Sequence, residues 1–258
     1  MTNQILATAS QVARSTALRL SVVLCIFAAA GYAWFALELG EGRMDRATAS
    51  AGQGFSDIFL VMLLGSLLAG TVVVTDFTSK TIHDAVLASP RAIVVSSRTI
   101  VFTAVIVLLM LPYGAAVLVA LAVGGTYGQL LPTVFNSLLV DAPQLTAGEA
   151  LRIVVLTLVT GVNYAAQLAL CIPAAYVLRR SVAVLAVGFG GSFVLGAVAG
   201  APADDTVLAD IAALTPYRTI LTADATGGDV LATLAVSLVW IALMTALAWL
   251  LFRRADIR

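Results

Sequence analysis

Titratable chemistry is nearly absent from this chain. It holds one histidine, His83, one lysine, Lys80, and two cysteines, Cys25 and Cys171, and charged residues make up only 11% of it. A soluble domain carries about 25%. No CxxC pair or Cys/His cluster exists, so the sequence offers no metal site. The two cysteines read as small thiols buried in apolar surroundings. The lone lysine follows no glycine-rich phosphate loop, which leaves the chain without a P-loop of its own. Fourteen basic residues balance fourteen acidic ones, so no net positive charge favours nucleic acid. His83, Asp84 and Asp204-Asp205 form no acid/base pair of defined geometry, which weighs against an enzyme acting on lipid.

What fills the chain is apolar. Hydrophobic residues are 61% of it and mean hydropathy is +1.04. Six stretches, about 17–37, 56–75, 99–123, 150–178, 182–200 and 229–252, each approach the ~20 residues that cross about 30 Å of hydrocarbon. The expected architecture is all-α: one polytopic transmembrane domain over 1–258. The segment Leu20–Leu37 outruns a usual signal h-region and no strongly basic stretch precedes it, so it reads as a retained first span. Before it, Ile5, Leu6, Ala9, Val12 and Ala13 recur at helical spacing, which predicts an interfacial helix over 1–16.

Six spans place both termini on one side. That side collects Arg14, Arg19, Lys80, Arg91, Arg98, Arg179, Arg180, Arg253, Arg254 and Arg258, ten of the fourteen basic residues. By the positive-inside rule it is cytoplasmic. The opposite side keeps Arg43, Arg46, Arg152 and Arg218 and eleven of the fourteen acidic residues. Thirteen arginines against one lysine, with heavy use of alanine, suit a GC-rich bacterial genome and hence a bacterial cytoplasmic membrane. Asp57 and Arg152 sit near span ends, so no charge is expected deep in the membrane. That disfavours a proton-coupled carrier and favours amphipathic or hydrophobic cargo.

The main intracellular connection runs from 76 to 98. A short helix is predicted within 76–90, with Ile82, Ala85, Val86 and Leu87 between polar flanks and Ser89-Pro90 ending it. In the fourth span Asn163 and Gln167 lie at i, i+4 and share a face beside Tyr164. They are either a polar stripe on a translocation path or interhelical hydrogen-bonding groups. Gly188, Gly190, Gly191 and Gly196 suggest close helix packing in the fifth span, and Pro112 and Pro173 suggest kinks in the third and fourth.

The run Asp76-Phe77-x-x-Lys80-Thr81-Ile82, then Ser89-Pro90-Arg91 and Arg98, resembles the intracellular loop of ABC-2-type permeases, the membrane subunits of ATP-binding-cassette exporters. The tail Phe252-Arg253-Arg254-Ala255-Asp256-Ile257 is similar to the basic ends of such permeases. Asp76 stands where glutamate is commoner in the family and Lys80 where glycine is usual. The resemblance implies a type V exporter-like permease fold with a cytoplasmic coupling helix. It also implies a separate ATPase subunit that binds ATP and Mg, and a second permease copy or homologue. This chain itself would bind no cofactor. Asp76, Phe77, Lys80, Thr81, Ile82, Asp84, Pro90 and Arg91 would couple the ATPase to the spans, and Asn163, Tyr164 and Gln167 would line the path. The expected function is export of a peptide, drug or lipid-like substrate. A membrane assembly or immunity component that binds a partner or antimicrobial peptide without moving it is the alternative, and cargo-stimulated ATPase activity separates the two.

Overall fold

A computed structural model describes residues 1–78, 81–141, 145–200, 214–218 and 221–254. Lys80, Pro143, Asp204-Asp205, Asp210, Ile211-Ala212-Ala213 and the tail from Ala255 onward lie outside the described residues. Among the described residues every regular element is helical, and six helices are long and apolar enough to cross a membrane. This is a membrane-embedded helical protein.

The N-terminal helix, Thr2–Arg14, stops at Ser15, whose extended backbone turns the chain and whose Oγ accepts the Leu18 N–H at 3.2 Å. That is an N-cap, and the first span, Thr16–Gly40, starts from it. The N-terminal helix does not float: it buries Val12, packs Ile5 and Ala9 on the core and touches the third span. Asp45 begins the next connection by accepting the Ala47 and Thr48 N–H groups at 3.0 and 3.1 Å. Hydrogen bonding to the Thr48 hydroxyl and backbone keeps its carboxyl below the usual range. Six residues in a 3-10 helix, Ser50–Phe55, then lead into the second span, Asp57–Ala69, which continues through a π turn, Gly70–Val74, to Thr78.

The short helix expected in the connection after the second span is Ile82–Ala88. The third span is Arg91–Val123, so it starts well before the 99 expected from hydropathy, and the connection closes at Pro90 instead of 98. The reason is chemical: Pro90 is pre-set for a first helical turn and lacks only an N–H that such a turn leaves unused. Polar Arg91, Ser96, Ser97 and Arg98 merely lower hydropathy without breaking a helix. The span passes through Pro112 uninterrupted and ends at Gly124 and Gly125, with φ of +80° and +132° that side chains resist.

The fourth span is Ala147–Leu168 followed by Cys171–Leu178. Its break at Ala169-Leu170 is the kink expected from Pro173, which cannot donate to the Ala169 carbonyl. The fifth span, Ser181–Gly200, carries a second π turn, Ala186–Gly190, and the sixth is Gly227–Arg254. The third and fourth spans form the centre, packed on one another and on the first, second and sixth. The fifth and sixth leave most of their apolar surface unburied, as lipid or a second copy would require.

Of the four fifth-span glycines expected to allow close packing, with Gly200 a fifth at the helix end, only Gly188 is demanded by packing. A Cβ there would collide with Cys171 Sγ and Ser66 Oγ, whereas at Gly190 and Gly196 it would meet nothing within 4 Å and at Gly191 only Leu170 at 3.5 Å.

Candidate functional site

Two constellations stand at opposite ends of the bundle. At the arginine-rich end, Asp76 on the last turn of the second span forms an ion pair with Arg98 of the third. Both are buried, at 7% and 4% exposure. The Thr81 hydroxyl donates to Asp76 Oδ1 at 3.1 Å, tying the entrance of the helix Ile82–Ala88 to the same carboxylate. Tyr176 of the fourth span places its hydroxyl in electrostatic contact with Arg98. Its ring packs on Phe77 at 5.8 Å and on Phe252 of the sixth span at 4.8 Å.

Arginines close the cluster from outside. Arg179 lies 5.1 Å above the Phe77 ring and Arg91 lies 5.4 Å above Phe252. Arg91 Nη1 also donates to the Phe252 and Arg253 carbonyls at 3.0 and 2.8 Å. A helix C-terminus leaves such carbonyls unpaired and gathers partial negative charge. Replacing Arg91 with alanine is therefore expected to destabilise the protein by about 1–2 kcal/mol. Hydrogen exchange at residues 250–253 should quicken at the same time; unchanged exchange there would contradict the latch.

The second, third, fourth and sixth spans thus meet around the Asp76–Arg98 pair, to which the helix Ile82–Ala88 is tied through Thr81. Ile82 anchors that helix in the core, with Ala85 and Val86 half-buried. Gln4 of the N-terminal helix donates to Ser89 Oγ at 3.2 Å. His83, Asp84 and Leu87 face outward, Leu87 at 87% exposure. Of the residues expected to act in coupling, Asp76, Phe77, Thr81, Ile82 and Arg91 are brought together. Pro90 caps the third span, Asp84 stands apart on the outer face, and Lys80 lies outside the described residues. Tyr176, Arg179 and Phe252 were missed as members of this cluster, and Arg98 as the partner of Asp76.

At the other end, the second, fourth and fifth spans together with Pro132, Thr133, Val134, Tyr217 and Leu221 line a cavity of about 330 Å³. Asn163, Tyr164 and Gln167 all line it. Asn163 Nδ2 donates to the Pro216 carbonyl and to Ser237 Oγ, both at 3.3 Å. Gln167 Nε2 donates to Asn163 Oδ1 at 2.8 Å and to the Pro216 carbonyl at 3.1 Å. The Tyr217 hydroxyl donates to the Gln167 carbonyl at 2.6 Å. The pair ties the fourth span to residues 214–218 and to the sixth span, as the hydrogen-bonding reading expects, and it also lines a cavity. That cavity lies within one chain. Leucine at both positions is expected to lose about 1–2 kcal/mol of thermal stability in detergent. Faster proteolysis around residues 214–226 should accompany it, and slow cleavage there would show that the hydrogen bonds do not hold the segment.

Asp57 corrects the expectation that no charge lies deep in the bundle. It begins its own helix, yet it has 0% exposure, and the Tyr164 hydroxyl donates to its Oδ2 at 2.7 Å. Tyr164 is seventeen residues past Ala147 (164 − 147), or ~26 Å along the fourth span at 1.5 Å per residue. Asp57, at the start of its own helix, is thus covered by the fourth span. Its own helix starts there because the preceding Ser50–Phe55 turns dip inward, where the Phe55 carbonyl accepts the Tyr113 hydroxyl at 2.8 Å. Asp57 Oδ1 has no hydrogen-bond partner, and Asp57 forms no ion pair among the described residues.

No family model, curated protein or solved structure matches this chain.

Proposed function

We propose that this chain is the membrane-spanning permease subunit of an ATP-binding-cassette exporter, moving an amphipathic or hydrophobic cargo with ATP hydrolysed by a separate cytoplasmic subunit. The observation that carries this reading is the helix Ile82–Ala88. It offers His83, Asp84 and Leu87 outward while its base is joined through Thr81, Asp76 and Arg98 to the second and third spans. Motion imposed on such a helix is passed to the bundle, because the Phe77–Tyr176–Phe252 cluster and Arg91 carry it on to the fourth and sixth spans. ATP and Mg belong to the partner, and a second permease copy would cover the unburied fifth and sixth spans.

The test is purification from the native host in mild detergent, with mass spectrometry of what stays bound. A stoichiometric P-loop ATPase is expected, lost on Leu87→Asp while the melting temperature of the permease holds. Recovery of the chain alone after cross-linking would end this reading. The buried Asp57 favours one second reading, a carrier driven by a cation gradient; transport by the isolated chain in vesicles without ATPase would select it.

A further inference from the structure

We infer that the cavity beside Asn163 and Gln167 binds a small amphipathic organic cation, of the lipophilic amine or quaternary ammonium class. As a statement about cargo this rests on the export reading; as a statement about binding it does not.

Size and lining come first. Ligand pockets occupy about 300–1,000 Å³, mostly apolar with a few placed polar groups, and this cavity has about 330 Å³. Met62, Phe193 and Leu221 supply apolar wall, and no lysine, arginine or histidine lines it. The amides of Asn163 and Gln167 are already engaged within the chain. Thr160 is different: it lines the cavity at 5% exposure and its Oγ1 has no partner.

Charge decides the ligand class. Behind the Tyr164 wall, and not itself in the lining, is Asp57, fully buried, with one carboxylate oxygen bound to the Tyr164 hydroxyl and no ion-pair partner among the described residues. A carboxylate so buried needs a positive partner or a proton, and among the described residues the chain supplies no basic group to it. An apolar body carrying one positive charge satisfies both the wall and the carboxylate. An anion or a neutral polar solute satisfies neither.

The approach has the same sign. A second, more polar cavity of about 730 Å³ shares Pro132 and Thr133 with the first and is edged by Asp141, Asp224 and Arg152. Arg152 is also paired outside that lining with Glu149 at 3.8 Å, so two carboxylates at the cavity edge face one guanidinium that is already engaged. Asp224 stays ionised, because the Thr222 hydroxyl donates to it at 2.5 Å and holds its carboxyl below the usual range. An acidic vestibule that leads into a low-dielectric chamber raises the local concentration of cations.

Binding of ethidium to the purified full chain in phosphatidylcholine nanodiscs tests this, read by fluorescence. Saturable binding at one site per chain is expected, with uncharged phenanthridine unable to compete at equal concentration. Asp57→Asn should weaken binding at least about tenfold. Gly196 lines the cavity and a Cβ there meets nothing within 4 Å, so Gly196→Leu should fill the chamber and abolish binding while the fold is kept. Wild-type affinity in Gly196→Leu would overturn the inference, even if Asp57→Asn does not fold. Equal competition by phenanthridine would overturn it as well. Ethidium bound by a chain that recruits no ATPase would retain this site and remove the export reading; an ATPase partner without ethidium binding would do the reverse.

Discussion

Arg98→Met in an otherwise unchanged chain is expected to lose about 3–5 kcal/mol of stability. The Asp76 carboxylate would stay buried at 7% exposure, with the Thr81 hydroxyl as its one remaining named partner. An uncompensated buried charge is among the most damaging changes a protein can undergo, far beyond the loss of a surface ion pair. The companion double variant, Asp76→Leu with Arg98→Met, removes both charges and refills the volume with apolar atoms. It should recover to within about 1–2 kcal/mol of the parent, since replacing a whole buried pair is often nearly neutral. Thermal unfolding in detergent reads both, and a double variant as unstable as the single one would mean that packing dominates over charge compensation.

That pair also changes how coupling has to be tested. Replacing Asp76 or Thr81 should uncouple ATP hydrolysis from transport on the permease reading, yet loss of Asp76 exposes Arg98 to the same penalty and confounds coupling with folding. Arg98 Nη1 already lacks a hydrogen-bond partner, so it has little to fall back on. Leu87, at 87% exposure, reports on partner docking without touching the core. The outward-facing Asp84 is the second such probe.

Hydropathy located the spans because a bilayer imposes one length on every crossing helix. Its errors came where a helix outruns the hydrocarbon. The third span reaches back to Arg91 because helix continuity depends on backbone geometry and capping, and Ser96, Ser97 and Arg98 offend only the hydropathy sum. The face shared by Asn163 and Gln167 was legible from four-residue spacing. Their partners were not: Pro216 and Ser237 are 53 and 74 residues from Asn163, and no local pattern encodes such a pairing. The depth of Asp57 was hidden for a similar reason. Its place at the start of a helix is a local fact, and only the inward dip of Ser50–Phe55 against Tyr113 converts it into burial within the bundle. The Phe77, Tyr176 and Phe252 cluster draws one residue from each of three spans, so each ring alone reads as ordinary apolar content.

Glycine shows most sharply where spacing stops and shape begins. Gly188→Leu is expected to lose about 1–3 kcal/mol or more through overpacking, while Gly190→Leu, where a Cβ meets nothing within 4 Å, should stay near the parent. The difference lies in what the fifth span approaches. Its π turn, Ala186–Gly190, and the π turn of the second span, Gly70–Val74, both abut the Cys171–Leu178 segment beyond the Pro173 break. A π turn widens the helix by one residue and reshapes its surface, and here the widened surface brings Gly188 against Cys171 and Ser66 with no room for a methyl group. A packing collision of this kind is relieved by removing the atom struck. Cys171→Ala deletes the sulfur that a Cβ at Gly188 would strike first. The pair Gly188→Ala with Cys171→Ala should therefore be more stable than the sum of its single changes by at least about 0.5 kcal/mol. Strict additivity in a double-mutant cycle would separate Gly188 from Cys171 and leave Ser66 as the contact that excludes a side chain there.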